Sequence, residues 1–253
     1  MSDTLVVRSA IAPLNAEPTL RSEQVSQLLA GHAVERIAEQ DAWLRVRALD
    51  GYEGWVNRGY LFDESVRDPA ARFSARRLSL GCIIREPGGQ ARSLPLGALA
   101  PDDAAVESGR ALTPEELSRR FPREPDSIAS SALTFFAGTP YEWGGITPWG
   151  ADCSGFTQAI FGLHGIALPR DARQQAGLGT SVESGLAALQ AADLLFFSER
   201  EDLRITHVAI ALSPTSIVHL ALSRGGYSVE QLSPPADAYV ADLMGRVVGV
   251  RRY

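Results

Sequence analysis

The sequence predicts an α+β domain built on an antiparallel sheet, preceded by one or two small β-barrels. The first half consists of short segments that alternate apolar and polar residues, with turn signals between them. The second half has two helical segments followed by a run of strands, an arrangement typical of α+β domains. The 253 residues, 45% hydrophobic and 21% charged, suffice for one large globular domain or two to three small ones.

A small barrel is expected over residues 1–65. Residues 34–37 and 43–47 alternate at period two, which is typical of half-buried strands. Asp50-Gly51 is a hairpin signal between residues 43–47 and the next strand, which begins at Gly54. Short strands with turns at this spacing are typical of small all-β barrels.

A second, smaller β module is expected over residues 71–111, after a polar stretch at 63–75. Its strands are predicted at 78–85 and 94–97, with a turn at 87–89. Cys82 lies in the first of these apolar runs, and we interpret it as a core thiol. Residues 112–127 are predicted as a linker that carries a short helix, because Thr113 and Glu116 have the spacing of a capping box.

The α+β domain is expected over residues 128–253. Helices are predicted at 128–136 and 154–164, and the loop between them is rich in glycine, proline and aromatic residues. Strands are predicted at 194–197, 207–212, 217–220, 227–232 and 247–251.

Composition excludes several classes of function. All 24 basic residues are arginine, so lysine Schiff-base chemistry and a P-loop phosphate lysine are excluded. The net charge of −6 weighs against a nucleic-acid partner. No zinc-binding spacing is present, and no apolar stretch has the length of a membrane span. Because no signal peptide is recognisable, we expect a cytoplasmic protein if Met1 is the native start, and an exported one otherwise.

Cys153 lies where the second helix of this domain is predicted to begin, directly after Gly150-Ala151-Asp152. The first turn of a helix offers free backbone N–H groups and the positive end of the dipole. Both favour the thiolate, the form of cysteine that attacks carbonyl carbons. The same N–H groups can hold an oxyanion. This position therefore indicates a candidate nucleophile.

Two of the four histidines lie on neighbouring predicted strands. If the hairpin is symmetric about Ser213, His207 lies directly opposite His219 on one face. A register slip of one residue would place them on opposite faces. On these residues alone, thiol catalysis and a structural role are about equally supported. We interpret His32 as a solvated turn residue and His164 as a cation suited to the end of a helix.

Several segments of the second half share the order and spacing of one known family. They are Gly138-Thr-Pro-Tyr-Glu-Trp-Gly-Gly145, Asp152-Cys-Ser-Gly-Phe156, Leu168-Pro-Arg-Asp171 with Gln174 and Gln175, Asp193-Leu-Leu-Phe-Phe197, Thr206-His-Val-Ala-Ile210 and Ile217-Val-His219. Through them, essentially all of residues 128–253 resembles the NlpC/P60 family of papain-like cysteine peptidases, which cleave cell-wall peptides. The resemblance implies that Cys153 is the nucleophile, His207 the base and His219 the orienting residue. Tyr141 matches a family tyrosine close to the nucleophile.

The first half carries a second resemblance. Ser22-Glu-Gln-Val-Ser-Gln-Leu-Leu29 and Gly54-Trp-Val-Asn-Arg-Gly-Tyr-Leu61 are similar to segments of the bacterial SH3-like domains that precede such catalytic domains. We therefore expect an SH3-like domain at residues 1–65. The module at 71–111 is expected to be a second, smaller SH3-like domain.

The architecture most similar to this one belongs to γ-D-glutamyl-L-diamino acid endopeptidases. The resemblance implies a substrate with a free N-terminal L-alanine, whose ammonium group Asp171 would bind. Asp152 and Ser154, on either side of the nucleophile, are further candidates for substrate binding. Glu23 and Tyr60 are the candidates from the SH3-like domain, with ordinary surface and barrel roles as their alternative. Carboxylates suit an ammonium because they accept charge-assisted hydrogen bonds.

Two positions depart from the family pattern. The residue after Asp171 is commonly serine but here is Ala172, which removes one acceptor from the expected amine pocket. The residue before Asp193 is usually glycine but here is Ala192. Because that glycine is a turn residue, catalysis is expected to survive its replacement.

The leading hypothesis is a cysteine endopeptidase that cleaves the γ-D-Glu–diamino acid bond of released murein peptides, in peptidoglycan recycling. One alternative is a secreted hydrolase or amidase that acts on intact peptidoglycan, with SH3-like domains as wall anchors. Another is a non-catalytic binding module with the same fold. The resemblance implies no metal or organic cofactor, and a murein peptide as partner rather than a membrane or nucleic acid. It leaves open the diamino acid and the oligomeric state.

Overall fold

The computed structural model describes residues 4–62, 66, 68–183 and 185–253. The chain divides into two units, residues 1–120 and 121–253. Part of the polar stretch predicted at 63–75, including the end of the first predicted domain, lies outside the described residues.

The first unit begins with a six-stranded antiparallel sheet in the order β1-β4-β5-β6-β2-β3. Its strands are β1 Thr4–Val6, β2 Ile11–Asn15, β3 Gln24–Leu29, β4 Ala33–Gln40, β5 Trp43–Arg47 and β6 Glu53–Asn57. The predicted hairpin at Asp50-Gly51 joins β5 to β6, and Val46 pairs with Gly54. Inward-facing residues of strands β2 to β6 form the core, including Leu14, Leu44 and Val56.

Gly54 is required by the close approach of β6 to β2. A Cβ atom at this position would lie 2.6 Å from Leu14 Cγ and 3.0 Å from the Asn15 carbonyl oxygen. Real Cβ atoms do not approach other heavy atoms so closely, so a larger residue would push the two strands apart. The glycine therefore helps to set the spacing of this small sheet.

A three-stranded antiparallel sheet follows, in the order β8-β7-β9. Its strands are β7 Arg77–Arg85, β8 Ala91–Ala100 and β9 Ala105–Leu112. Cys82 is buried on β7. His32 Nε2 donates to the Gly97 carbonyl oxygen over 3.1 Å, and burial lowers its pKa. The interpretation of His32 as merely solvated is wrong, because this hydrogen bond ties it to β8. That the module is SH3-like stays a prediction.

The predicted capping box is present at the helix α1, Pro114–Arg120. Thr113 N donates to Glu116 Oε2 over 2.8 Å, and Glu116 N donates to Thr113 Oγ1 over 3.4 Å. The second unit begins after this helix, earlier than the expected boundary at 127/128. Phe121 is buried there, and its ring lies 5.8 Å from that of Phe135 and 5.6 Å from that of His164. Aromatic packing therefore draws the end of the predicted linker into the second unit.

The second unit packs helices on a six-stranded antiparallel sheet in the order β12-β17-β13-β14-β15-β16. A short hairpin pairs β10 with β11. The helices are α2 Pro125–Phe135, α3 Cys153–Leu163, α4 Ala172–Gln175 and α5 Ala238–Gly245. The strands are β10 Ile146–Thr147, β11 Gly150–Ala151, β12 Thr180–Ser181, β13 Leu194–Phe197, β14 His207–Ser213, β15 Ser216–Ala221, β16 Gly226–Gln231 and β17 Val247–Arg252.

The central strands of this sheet, β13, β14 and β15, are buried on both faces. Leu195, Phe197 and Ala209 on one face form a core with Val240 and Leu243 of α5. The intervening strand residues are also fully buried, and α3 packs on β14 and β15. This two-sided burial explains why β13 reads as an unbroken apolar run rather than an alternating strand. Within the described residues, no helix is long and apolar enough to cross a membrane.

Candidate active site

Cys153 is the first residue of α3, and Asp152 is its N-cap. The Asp152 Oδ1 atom accepts a hydrogen bond from Gly155 N over 2.8 Å. Gly155 allows the glycine-rich loop to touch the helix, because a Cβ there would lie 2.1 Å from the Gly145 carbonyl oxygen. The thiol is almost fully buried, and the backbone N–H of Val208 is a hydrogen-bond partner of its sulfur. Cys153 is thereby brought to the start of β14, at the residue that follows His207.

A buried ion pair holds the start of α3. Arg170 Nη2 lies 2.5 Å from Asp152 Oδ2, and Nη1 lies 3.0 Å from Oδ1. Arg170 Nη1 also donates to Ser154 Oγ over 2.9 Å, and Gly144 N donates to Asp152 Oδ2 over 2.9 Å. Sequence analysis assigned no role to Arg170, because nothing in one sequence shows that this arginine points inward. In the structure, Arg170 supports the two residues on either side of Cys153.

These bonds occupy the side chains of Asp152 and Ser154, both of which are buried. We interpret the pair as organising the helix start. Direct contact of Asp152 and Ser154 with substrate stays a prediction.

Gln175 joins the same framework from α4. Its Nε2 atom donates to the carbonyl oxygens of Ser154 and Pro169, over 3.0 and 2.9 Å. Its Oε1 atom accepts from Thr157 Oγ1 over 2.8 Å. Asp171 is the N-cap of α4, and its backbone N–H donates to Gln174 Oε1 over 3.3 Å. The partly buried Asp171 is therefore carried by a segment that Arg170 and Gln175 anchor to α3.

The electrostatics of the thiol differ from the sequence expectation. Burial and the neighbouring Asp152 carboxylate raise the pKa of Cys153 to about 12. Hydrogen bonds from the backbone of Val208 and Ser154 and the charge of Arg170 oppose this shift. The backbone N–H of Ser154 at the helix start favours the thiolate, as expected, but burial outweighs it. The resting residue is a neutral thiol.

The side chains of His207 and His219 contact each other, although the two residues are not directly opposed in the sheet. Ile210 pairs with Val218 in β14 and β15, which places His219 level with Ala209, two residues from His207. The hairpin is therefore not symmetric about Ser213, because its turn is irregular between Ala211 and Ser213. A shift of two residues keeps both side chains on one face, within reach of each other as diagonal neighbours. His207 Nε2 lies 2.9 Å from His219 Nδ1.

His207 is neutral in this state. Its burial and the nearby His219 lower the pKa of His207 to about 3. Because Nε2 of His207 is in contact with His219, Nδ1 of His207 is the nitrogen that could accept the thiol proton. A neutral imidazole beside a neutral thiol can accept the thiol proton, and the resulting opposite charges stabilise each other.

A carboxylate that sequence analysis missed lies behind His219. Glu230 Oε1 on β16 is 3.5 Å from His219 Nε2. Arg224 Nε and Nη2 donate to the two carboxylate oxygens over 2.8 and 3.1 Å, and Ser228 Oγ donates to Oε1 over 2.7 Å. Burial raises the pKa of Glu230, but the contact with His219 and the hydrogen bonds from Arg224 and Ser228 outweigh it and lower the pKa to about 2. No motif flags this glutamate, because only the pairing of β15 with β16 brings it near His219.

Tyr141 lines a cavity of about 620 Å³ in the second unit, together with His207. Its backbone N–H donates to the Gly225 carbonyl oxygen over 3.1 Å. Burial, with the proximity of Cys153 and of the Asp152 carboxylate, raises the pKa of Tyr141, so its hydroxyl stays protonated and can donate a hydrogen bond. Tyr239, Asp242 and Arg246 also line this cavity. The cavity thus opens beside the base on its α5 side.

His164 has a structural role and is not a cation at the helix end. It is buried at the end of α3, where Nδ1 donates to the Pro122 carbonyl oxygen over 2.6 Å and Nε2 lies within hydrogen-bond distance of Ser131 Oγ, at 2.9 Å. Burial lowers the pKa of His164, so the interpretation as a cation is wrong.

The two site candidates from the first half lie in the first unit. Glu23 is an exposed residue directly before β3, and its carbonyl oxygen accepts from Ala16 N over 2.9 Å. Tyr60 ends a 3₁₀-helical turn and packs partly buried against the barrel core. Their contribution to a substrate site stays a prediction. Among the described residues, no group of three or more His, Cys, Asp or Glu side chains could hold a metal ion.

A cysteine at a helix start, with two contacting histidines on the adjoining strands, is a side-chain set typical of thiol hydrolases. Residues 138–244 match the model of the NlpC/P60 family, and residues 6–62 match that of the bacterial SH3 domain. The "Gamma-D-glutamyl-L-lysine dipeptidyl-peptidase" of Bacillus subtilis is 30% identical over 86% of this chain and 78% of its own length. The chain belongs to the NlpC/P60 family and is a cysteine peptidase with an N-terminal bacterial SH3 domain.

Other relatives agree with this assignment. The "Dipeptidyl-peptidase 6" of Lysinibacillus sphaericus is 28% identical over 97% of both chains. A crystal structure of an NlpC/P60 family protein from Bacillus cereus superposes with a TM-score of 0.76 at 19% identity, over 99% of both chains. That likeness confirms the predicted fold class over both halves of the sequence.

Proposed function

We propose that this protein is an endopeptidase that cleaves the bond between γ-D-glutamate and the following L-diamino acid in murein peptides. Its substrates would be released peptides with a free N-terminal L-alanine, which places the reaction in peptidoglycan recycling. The names of two relatives from Bacillus species, each matched over 86% or more of this chain, specify γ-D-glutamyl-L-lysine peptides. The observation that carries the proposal is the anchoring of Asp171 to the framework of Cys153 through Arg170.

The reaction begins with transfer of the Cys153 thiol proton to His207 Nδ1. The thiolate attacks the γ-carbonyl carbon of D-glutamate, forming a C–S bond, and the oxyanion is held by N–H groups at the start of α3. The C–N bond then breaks, and the amine of the diamino acid leaves with the proton from His207. This produces an acyl-enzyme and a free diamino acid.

Water completes the cycle. It gives one proton to His207 while its oxygen bonds to the acyl carbon. The C–S bond breaks, and Cys153 recovers its proton from His207. The products are L-Ala-D-Glu and the regenerated thiol, so no external oxidant, reductant or cofactor is consumed.

Asp171 is proposed to bind the ammonium of the N-terminal alanine. A carboxylate at this place gives a charge-assisted hydrogen bond, which a capped amine cannot make. Ala172 offers no side-chain acceptor, so Asp171 must supply more of the recognition than it would beside a serine.

The test is product analysis by mass spectrometry. L-Ala-γ-D-Glu-meso-diaminopimelate and L-Ala-γ-D-Glu-L-Lys are each incubated with purified protein, and the expected products are L-Ala-D-Glu and the free diamino acid. Cys153→Ser should yield neither product, because a serine at this position lacks an ionisable thiol. Cys82→Ser is the matched control and should retain activity near wild type, since Cys82 is a buried residue of the first unit.

Two outcomes contradict the proposal. Digestion of intact peptidoglycan without cleavage of either free tripeptide would favour the secreted wall hydrolase. Loss of activity in Cys82→Ser with retention in Cys153→Ser would mean that the wrong cysteine has been chosen.

A further inference from the structure

Glu230 faces His219 because of the register between β15 and β16. His219 pairs with Ser228, and Ile217 pairs with Glu230. Residues 228 and 230 lie on the same face of β16, so Glu230 is a diagonal neighbour of His219. The Glu230 side chain is 5% exposed and the His219 side chain is fully buried. The carboxylate therefore acts on the imidazole in a poorly hydrated environment, where electrostatic interactions are strong.

Burying a carboxylate costs free energy unless the carboxylate is paired. The partners of Glu230 come from its own strand and from the turn before it. Arg224 binds both of its oxygens, and Arg224 Nη2 also lies 2.8 Å from Asp237 Oδ2. Two carboxylates thus share one guanidinium, which leaves a net charge of about −1 beside His219. Arg224 is further fixed by its stacking on Tyr239, with its Cζ atom 4.2 Å from the ring centroid.

The hydrogen-bonding options of His219 follow from this arrangement. A carboxylate only accepts hydrogen bonds, so Glu230 selects the form of His219 that carries a proton on Nε2. In the neutral ring, Nδ1 of His219 is then an acceptor, and His207 must donate to it from Nε2. Nδ1 of His207 is left without a proton, as the base that receives the thiol proton requires. The 3.5 Å separation is long, as contacts of a resting site often are before substrate binds.

We propose that Glu230 is a positioning residue that acts through His219: it sets the tautomers of both imidazoles and stabilises the imidazolium formed when His207 takes the thiol proton. This inference rests on the proposed roles of Cys153, His207 and His219, and not on the identity of the substrate. Arg224 keeps the Glu230 carboxylate ionised and aimed at His219.

The groups that face the histidine pair are drawn from several elements. They include the Cys153 thiol of α3, the Tyr141 hydroxyl, Tyr239 of α5, and Glu230 of β16 with its partner Arg224. Glu199 and Asp242 line the same cavity as His207, and both are paired with Arg246. Glu230 is the carboxylate that lies against His219. Removing that charge should therefore disfavour the imidazolium and, with it, the thiolate.

The first test uses the unmutated chain. Nitrogen-15 NMR of histidine-labelled protein reports which ring nitrogen carries the proton. The expected result is a protonated Nε2 and an unprotonated Nδ1 on His219 at pH 7. The opposite tautomer of His219 would overturn the proposal without any substitution.

The second test measures alkylation of Cys153 by iodoacetamide, in a Cys82→Ser background that leaves one thiol. The rate follows the thiolate fraction and needs no substrate, so its outcome is independent of the assigned peptide bond. Glu230→Gln should lower the alkylation rate at pH 7 about tenfold. This corresponds to a tenfold smaller equilibrium constant for proton transfer from the thiol to His207. Glu230→Asp, which keeps the charge, should lie closer to the parent protein.

Glu201→Gln is the matched control, since it makes the same change at an exposed residue outside the site. It should leave the alkylation rate unchanged. Thermal melting establishes that each variant is folded, and Arg224→Gln provides a second variant if Glu230→Gln is not; it should also lower the rate. A folded Glu230→Gln or Arg224→Gln variant with the parent alkylation rate would show that Glu230 is only structural.

Discussion

Arg170 and Asp152 form a two-point ion pair inside the second unit, with separations of 2.5 and 3.0 Å. Their side chains are 2% and 8% exposed. The pair joins the segment that carries Asp171 to the residue directly before Cys153. One buried interaction therefore supports both the nucleophile and the candidate amine site.

Replacing Arg170 by methionine should destabilise the second unit by about 3–5 kcal/mol, because it leaves the Asp152 carboxylate buried without its cation. Urea unfolding measures the change. Arg200→Met is the control, since Arg200 makes an exposed ion pair with Asp202 and its loss should leave the unfolding free energy nearly unchanged. Similar losses in both variants would contradict the framework role of Arg170.

Ala192→Gly should stabilise the protein by about 1 kcal/mol. Ala192 has a φ of 65°, in the left-handed region where a Cβ atom is strained. The reciprocal control is Gly138→Ala, at a φ of 80° and with no atom within 4 Å of the added Cβ. It should cost about 1 kcal/mol by the same backbone effect. Thermal unfolding of both variants provides the measurement, and a loss of stability in Ala192→Gly would refute the strain argument.

His207→Gln should reduce kcat/KM by roughly 10²–10⁴-fold, because an amide cannot accept and return the thiol proton. His219→Gln should be less damaging, since an amide oxygen can still accept from His207 Nε2. The comparison uses the same peptide and thermal melts of both variants. If His219→Gln proved the more damaging change, the two roles would have to be exchanged.

The proposed site should discriminate against a capped amine. N-acetylation of L-Ala-γ-D-Glu-meso-diaminopimelate removes the charge and the donors that Asp171 would bind, so kcat/KM should fall roughly 10- to 100-fold. Asp171→Asn should reduce this discrimination, whereas the surface control Asp202→Asn should preserve it. Equal rates on the two peptides in wild type would exclude an amine pocket, and undiminished discrimination in Asp171→Asn would place it elsewhere.

Acid should destabilise the fold through His207. The pKa of its folded state is about 3, below the ordinary value of 6.5, so the unfolded chain binds a proton first as pH falls. The stability that His207 contributes is therefore present above pH 6.5 and is lost between 6.5 and 3. In a Cys153→Ser background, His207→Gln should reduce the loss of unfolding free energy between pH 7 and 5 by about 2 kcal/mol. Equal losses in both proteins, measured by urea unfolding, would contradict a neutral buried His207.

Local patterns in the sequence predicted most of the elements. The capping box of Thr113 and Glu116, the hairpin at Asp50-Gly51 and the strand at 194–197 all depend on residues that are near one another in the chain. Each such signal records a backbone preference or an apolar period that short-range physics imposes. The motifs also carried the family resemblance, which needs order and spacing but no coordinates.

The tertiary structure decided the charges and partners of the site. The sequence placed Cys153 at a helix start, but the thiol pKa depends on how much water the folded chain removes, and that burial reverses the expected shift. It placed His207 and His219 on adjacent strands, but their offset of two residues depends on an irregular turn. The roles of Arg170 and Glu230 were missed because their partners, Asp152 and His219, are far from them in the sequence. Such a contact produces no periodic pattern of residue types. Desolvation and long-range pairing arise only when the whole domain folds around these groups, which is why one sequence could predict a candidate nucleophile without describing its surroundings.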